Sequence, residues 1–67
     1  MNKYEVGDRI DTVQFGVTGT VLRTLGKDHY RVVLDREVVV GWSSALKLKT
    51  LNFFGWELKP LTAGWYV

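Results

Sequence analysis

Glycine recurs at positions 7, 16, 19, 26, 41, 55 and 64, and this punctuation limits the possible folds more than any other feature. The segments between the glycines are rich in β-branched and aromatic residues. No window of about eleven residues carries the periodicity of an amphipathic helix. The chain therefore reads as all-β, with short strands separated by turns. Its 67 residues make one domain, spanning 1–67. A chain of that length buries only about 60% of the surface its unfolded form exposes, so the core is thin. Cysteine is absent, which excludes a disulfide or a zinc-thiolate site as a supplement to that core.

Local patterns place the strands. Val6-Gly7-Asp8 turns into a first strand, Arg9 to Val13, with Ile10 facing inward. Val17 to Leu25 forms the second, with Val17, Gly19 and Val21 on one face, and Gly19 marks a bend or bulge. Gly26-Lys27-Asp28 is a hairpin turn. His29 to Leu34 alternates, sending Tyr30, Val32 and Leu34 one way and Arg31 and Val33 the other. Asp35-Arg36-Glu37 reads as a tight turn before a fourth strand, Val38 to Trp42. Ser43-Ser44-Ala45-Leu46 suits one 3₁₀ turn opened by a serine cap. Lys47 to Leu51 alternates as a strand, Asn52-Phe53-Phe54-Gly55 reads as a turn, and Trp56 to Leu58 runs back. Pro60 belongs at a strand end or sheet edge. The expected core is Ile10, Val21, Tyr30, Val32, Leu34, Val40 and Leu46.

The run Gly7-Asp8-Arg9-Ile10, then Gly16-Val17-Thr18-Gly19-Thr20-Val21, then His29-Tyr30-Arg31-Val32-Val33-Leu34-Asp35 resembles the opening of KOW-type and related SH3-like barrels. Val38-Val39-Val40-Gly41-Trp42 and Ser44-Ala45-Leu46 look like the fourth strand and 3₁₀ turn of the same barrels. The resemblance covers about residues 6–50 and implies a small SH3-like barrel of five to six short antiparallel strands with a 3₁₀ turn. The aromatic segment beyond it is a C-terminal extension. Alternatively, Trp56 to Leu61 is the closing strand and residues 43–55 are an insertion. Such barrels serve in ribosomal, transcriptional, chromatin-reading, peptide-binding and phage proteins, so the likeness concerns fold more than function.

Groups able to do chemistry are sparse. His29 is the one histidine and sits beside Asp28 at a hairpin mouth. It reads as an exposed turn residue rather than a general base. Ser43 and Ser44 have no activating base nearby in sequence. Asp8 and Asp11, or Asp35 and Glu37, lack the further oxygen ligands a hard cation needs. No glycine loop precedes a helix to cradle phosphate. The trimethoprim-insensitive dihydrofolate reductase is a chain of similar size and fold that also reads Gly-Asp-Arg near its start. Its site uses a Val-Gln-Ile-Tyr run, where this chain has Val38-Val39-Val40-Gly41. The expectation is a non-enzymatic protein with no cofactor and no metal site.

Binding is the remaining class. Three Trp, three Tyr and three Phe are more than so thin a core readily hides. Phe53, Phe54, Trp56, Trp65 and Tyr66 are expected to supply exposed anchors for a larger protein, making the chain a small standalone regulator or inhibitor, of the kind found in phages or mobile elements. The alternative is a KOW-like module gripping RNA, the ribosome or the transcription machinery. There Arg23, Lys27, Arg31, Lys47 and Lys49 meet the backbone and the aromatics stack on bases. A homodimer through an exposed edge or the aromatic tail is compatible with both. The net charge of +2 permits a nucleic-acid partner without requiring one. No apolar run approaches membrane-spanning length and no signal peptide is visible, so the expected location is cytoplasmic.

Overall fold

The computed structural model describes residues 3–41 and 46–61. Five strands and one 3₁₀ turn follow in the order β1 (Arg9–Thr12), β2 (Thr18–Gly26), β3 (His29–Val39), β4 (Lys47–Phe54), η1 (Gly55–Glu57) and β5 (Leu58–Pro60). All pairings are antiparallel, and the strands form one sheet in the order β4-β3-β2-β1-β5. The all-β expectation holds, and no α-helix occurs among the described residues. The sheet is open, ending at β4 on one side and β5 on the other, rather than closed into a barrel. Pro60 ends the edge strand β5, where a residue that cannot donate to a ladder is tolerated.

One face of the sheet carries the core. Ile10, Val17, Val21, Tyr30, Val32, Leu34, Phe53 and Leu58 are buried there, with Tyr4 and Val38 at its margin. The alternation of Tyr30, Val32 and Leu34 along β3 is the pattern a half-buried strand requires. The two tyrosines meet edge to face, with ring centroids 5.4 Å apart. The Tyr30 hydroxyl accepts the backbone N–H groups of Lys3 and Tyr4 at 2.7 and 3.1 Å. The Tyr4 hydroxyl donates to the Leu58 carbonyl at 3.3 Å. Each phenol thus buries its ring and keeps its polar tip satisfied. Thr12 is the one buried polar residue of the described core. Its hydroxyl donates to the Val17 carbonyl at 2.9 Å and accepts the Val17 N–H at 3.2 Å, pinning the β1–β2 connection.

Both glycines of the Gly16/Gly19 pair have a structural reason. Gly16 has φ +66°. At Gly19 an added Cβ would stand 2.6 Å from the Val33 carbonyl and 3.2 Å from Leu34 Cα on the paired strand β3. The β2–β3 turn uses Gly26 at φ +91°, followed by Lys27 and Asp28 at φ +48° and +57°. Two successive left-handed residues give the turn whose twist matches the flanking strands.

Several expectations are corrected. Asp35-Arg36-Glu37 is not a tight turn, because β3 continues as one strand to Val39. The β3–β4 register steps from Val33↔Thr50 to Val38↔Leu48, so residues 34–37 oppose the single position 49. The surplus is absorbed as a bulge, with Asp35 held in the sheet by Thr18 on the adjacent β2 and by Arg9 reaching across from β1. Asn52, Phe53 and Phe54 belong to β4 rather than to a turn, because they pair with Arg31, Tyr30 and His29. The described 3₁₀ turn is Gly55–Glu57; the expected one at Ser43 to Leu46 lies largely outside the described residues. Leu46 is 50% exposed rather than core, since it sits at the mouth of the β3–β4 connection, its carbonyl accepting the Val40 N–H. Val40 is partly buried against the core.

Candidate functional site

The second face of the sheet is the candidate site, and local geometry explains how its residues converge. Along β4 the side chains alternate, so Phe53 opposite Tyr30 enters the core and Phe54 opposite His29 stays outside. The chain then turns at once into η1. Gly55 donates its N–H to the Asp28 carbonyl at 2.7 Å, clasping η1 onto the β2–β3 turn. A Cβ there would meet the Asp28 carboxyl group, which would have to swing away and leave its own hydrogen bonds. Glu57 accepts the Phe54 N–H at 2.8 Å, and its own carbonyl accepts the Val13 N–H at 3.1 Å. This clasp projects Trp56 beside Phe54.

The result is an aromatic row. His29 stacks on Phe54 with centroids 4.3 Å apart and planes 15° from parallel. Phe54 and Trp56 lie 6.2 Å apart with planes within 5° of parallel. Phe54 is 45% exposed and Trp56 75%. An indole held this openly is unusual, since burying an aromatic ring is among the largest stabilising contributions open to a small fold.

Arginine adjoins the row. Arg31, two residues along β3 from His29, points to the same face and donates through Nε to Asn52 Oδ1 at 3.2 Å. Arg23 on β2 is its direct cross-strand partner. Two like charges placed opposite each other are unfavourable in a sheet. Neither arginine is in an ion pair among the described residues, where the ion pairs are Arg9–Asp35 at 2.7 Å and Lys59–Asp11 at 3.9 Å. Leu22 and Leu25, both partly exposed, lie where β2 bulges past β3 beside the arginines.

The acids are engaged by hydrogen bonds and ion pairs of their own. Asp35 receives a two-pronged contact from Arg9, at 3.0 and 2.7 Å, and the Thr18 hydroxyl. The Arg9 guanidinium first, and then Thr18, hold its carboxyl far below the usual carboxylate range. Asp28 accepts the Tyr30 hydroxyl and the Lys3 N–H, its carboxyl lying against Gly55. Those hydrogen bonds lower its pKa, the phenol contributing most.

Of the anchors expected for a protein partner, Phe54 and Trp56 are brought together and exposed. Phe53 is corrected: it is 3% exposed, edge to face with Phe15 at 6.1 Å. Trp65 and Tyr66 lie outside the described residues. Of the expected cations, Arg23 and Arg31 adjoin the aromatic row, and Lys27 is exposed in the turn leading to His29. Lys47 and Lys49 are exposed on the far half of β4, five to seven residues from Phe54, or about 16–23 Å at strand rise. His29 is not the freely exposed turn residue expected from sequence but a half-buried member of the stack. Asn52 was hidden in the supposed turn; its cross-strand relation to Arg31 appears only once β4 extends to Phe54.

Among the described residues, no three His, Asp or Glu side chains gather as a metal ion would need, and no helix is long and apolar enough to cross a membrane. Comparison of the chain with protein-family models, with curated proteins and with solved structures returns no match.

Proposed function

We propose that this chain is a non-enzymatic binding module of the SH3-like kind, which docks on a larger macromolecule through the outer face of β2, β3 and β4. The observation that carries the reading is the row of His29, Phe54 and Trp56, its last two rings exposed, beside Arg23 and Arg31, neither of which is in an ion pair among the described residues. Exposed Trp and Arg side chains are the types that dominate binding energy at macromolecular surfaces. The fold part of the proposal rests on η1 and β5. After the β2–β3–β4 meander, the 3₁₀ turn returns the chain to pair with β1, the connection a small barrel needs in order to close. The pairing of β5 with β1 fits the alternative in which the segment from Trp56 to Leu61 is the closing strand.

The reading is tested by affinity capture from cell lysate with three immobilised proteins, quantifying bound protein and bound nucleic acid separately. The wild type is compared with Trp56→Ala and with Val39→Ala, a control at an exposed apolar position distant from the row. The expected result is material retained by the wild type and by Val39→Ala and lost with Trp56→Ala. Equal capture by all three proteins refutes the outer face as the docking surface.

A further inference from the structure

We infer that the outer-face site takes single-stranded nucleic acid, its bases stacking on Trp56 and Phe54 and its phosphates meeting Arg23, Arg31 and Lys27. The inference rests on the proposed binding role of this face and names the partner that fits it.

Three features point to a polyanion with flat, unpaired bases. The first is ring geometry. Phe54 and Trp56 lie on one face with planes within 5° of parallel, and the more exposed of the two, Trp56, is three-quarters open. Such a surface offers π-faces to bases of any sequence. His29 and Phe54 already use that contact with each other at 4.3 Å.

The second is the arginine pair. Arg23 and Arg31 stand opposite each other across β2 and β3, and neither is in an ion pair among the described residues. The repulsion between them is relieved by an anion placed between or above them. The Nε of Arg31 is engaged by Asn52 Oδ1. This orients the guanidinium and leaves its Nη edge, the edge suited to two-pronged phosphate contact.

The third is where the negative charge goes. Asp35 and Asp11 are paired with Arg9 and Lys59 toward the β1 side of the sheet. Asp28 accepts the Tyr30 hydroxyl and the Lys3 N–H, and the Glu57 carboxylate accepts the Phe54 backbone N–H. Arg23, Arg31 and Lys27 therefore supply the positive charge along the β2–β3 side of the row, while the hydrogen-bonded carboxylates of Asp28 and Glu57 stand at its Gly55 end. A protein partner uses exposed aromatics equally well, but it does not require that two arginines face each other with no acid paired to either among the described residues. Duplexes offer no exposed base faces to such a row, so the strand must be single.

The test is a fluorescence anisotropy titration of labelled oligo-dT and oligo-rU, about 15 nucleotides long, with a duplex of equal length as comparison. Salt is varied from about 50 to 200 mM. The expected result is binding of both single strands in preference to the duplex, with affinity falling as salt rises. Trp56→Ala weakens binding at least about fivefold, the loss of one stacked base. Arg23→Ala and Arg31→Ala each make the log–log salt slope shallower by about 0.7, as expected for one lost phosphate contact to a single strand. Circular dichroism and melting of each variant, all at exposed positions, confirm that the fold persists. Absence of oligonucleotide binding, binding insensitive to these substitutions, or preference for the duplex overturns the inference. If the oligonucleotides fail while lysate capture is nuclease-resistant and still lost with Trp56→Ala, the partner is a protein and the binding role of the face survives. If both fail, the binding role falls too.

Discussion

The adjacent residues Phe53 and Phe54 give the sharpest test of the strand register. Phe53 is 3% exposed and Phe54 45% exposed on the opposite face. Removing a buried Phe side chain takes about 200 Å² out of the apolar interior and leaves a cavity, so Phe53→Ala costs about 3–5 kcal/mol. A chain of this size has a total stability of about 3–10 kcal/mol. Phe53→Ala is therefore expected to be marginal or unfolded, and Phe53→Leu, which refills most of the volume, to melt only a few degrees low. Phe54→Ala loses about half as much burial, together with the His29 stack, for a cost of about 1–2 kcal/mol. Each kcal/mol lowers the melting temperature of a domain this small by about 4–8 °C. Thermal melts followed by circular dichroism should thus rank wild type, Phe54→Ala and Phe53→Ala, with the last at least about 12 °C below wild type. Equal melting of the two alanine variants, or the reverse order, refutes the register that puts Phe53 opposite Tyr30.

Other substitutions probe separate parts of the fold. Gly19→Ala should lower stability by about 1–3 kcal/mol in urea titrations, because its Cβ meets the Val33 backbone rather than a movable side chain; a wild-type midpoint contradicts the close approach of β2 and β3. Thr12→Val should cost about 1–3 kcal/mol by stranding the backbone N–H of Val17, whose carbonyl keeps the Thr12 N–H, with Thr12→Ser largely spared. Stability should also depend on acid. The pKa values of Asp28 and Asp35 are lowered in the folded state. Their contributions are thus present above the unfolded carboxylate value of about 3.9 and are lost as pH falls through the folded values below it. The stability gap between wild type and Asp35→Asn should close as pH falls from about 5 toward 2, and a gap that stays constant with pH contradicts the Arg9–Asp35–Thr18 arrangement.

How far the sequence reveals this molecule depends on how local each determinant is. Tyr30, Val32 and Leu34 were legible as core because a period of two is written in six consecutive residues. Gly26 was legible as a turn residue because the lack of Cβ is a local property with a local use, whereas the bulge expected at Gly19 lies further along β2, between Val21 and Arg23, and Gly19 itself serves the close approach of Val33. Asp35-Arg36-Glu37 misled because three charged residues have turn composition. What keeps them in β3 is contact with Arg9 and Thr18, about 26 and 17 positions away in sequence. Asn52 to Gly55 misled in the same way: polar and glycine ends suggest a turn, whereas pairing with β3 carries the strand to Phe54. That error hid the core role of Phe53 and the partnership of Asn52 with Arg31. The site was visible as residue types in two rival sets, an aromatic one and a basic one. Only the register joins Phe54 and Trp56 from the first with Arg23 and Arg31 from the second, and leaves Lys47 and Lys49 behind.

The most direct test of the outer face as the binding surface is a two-dimensional ¹⁵N–¹H NMR titration with the single-stranded oligonucleotide. Resonances are followed for the backbone, the arginine Nε–H groups and the tryptophan indoles. The account predicts shifts concentrated at Arg23, His29, Arg31, Asn52, Phe54 and Trp56, with Lys47, Lys49 and the Arg9–Asp35 end of the sheet little changed. Shifts centred on Lys47 and Lys49, or a spectrum unmoved at saturating oligonucleotide, contradict it.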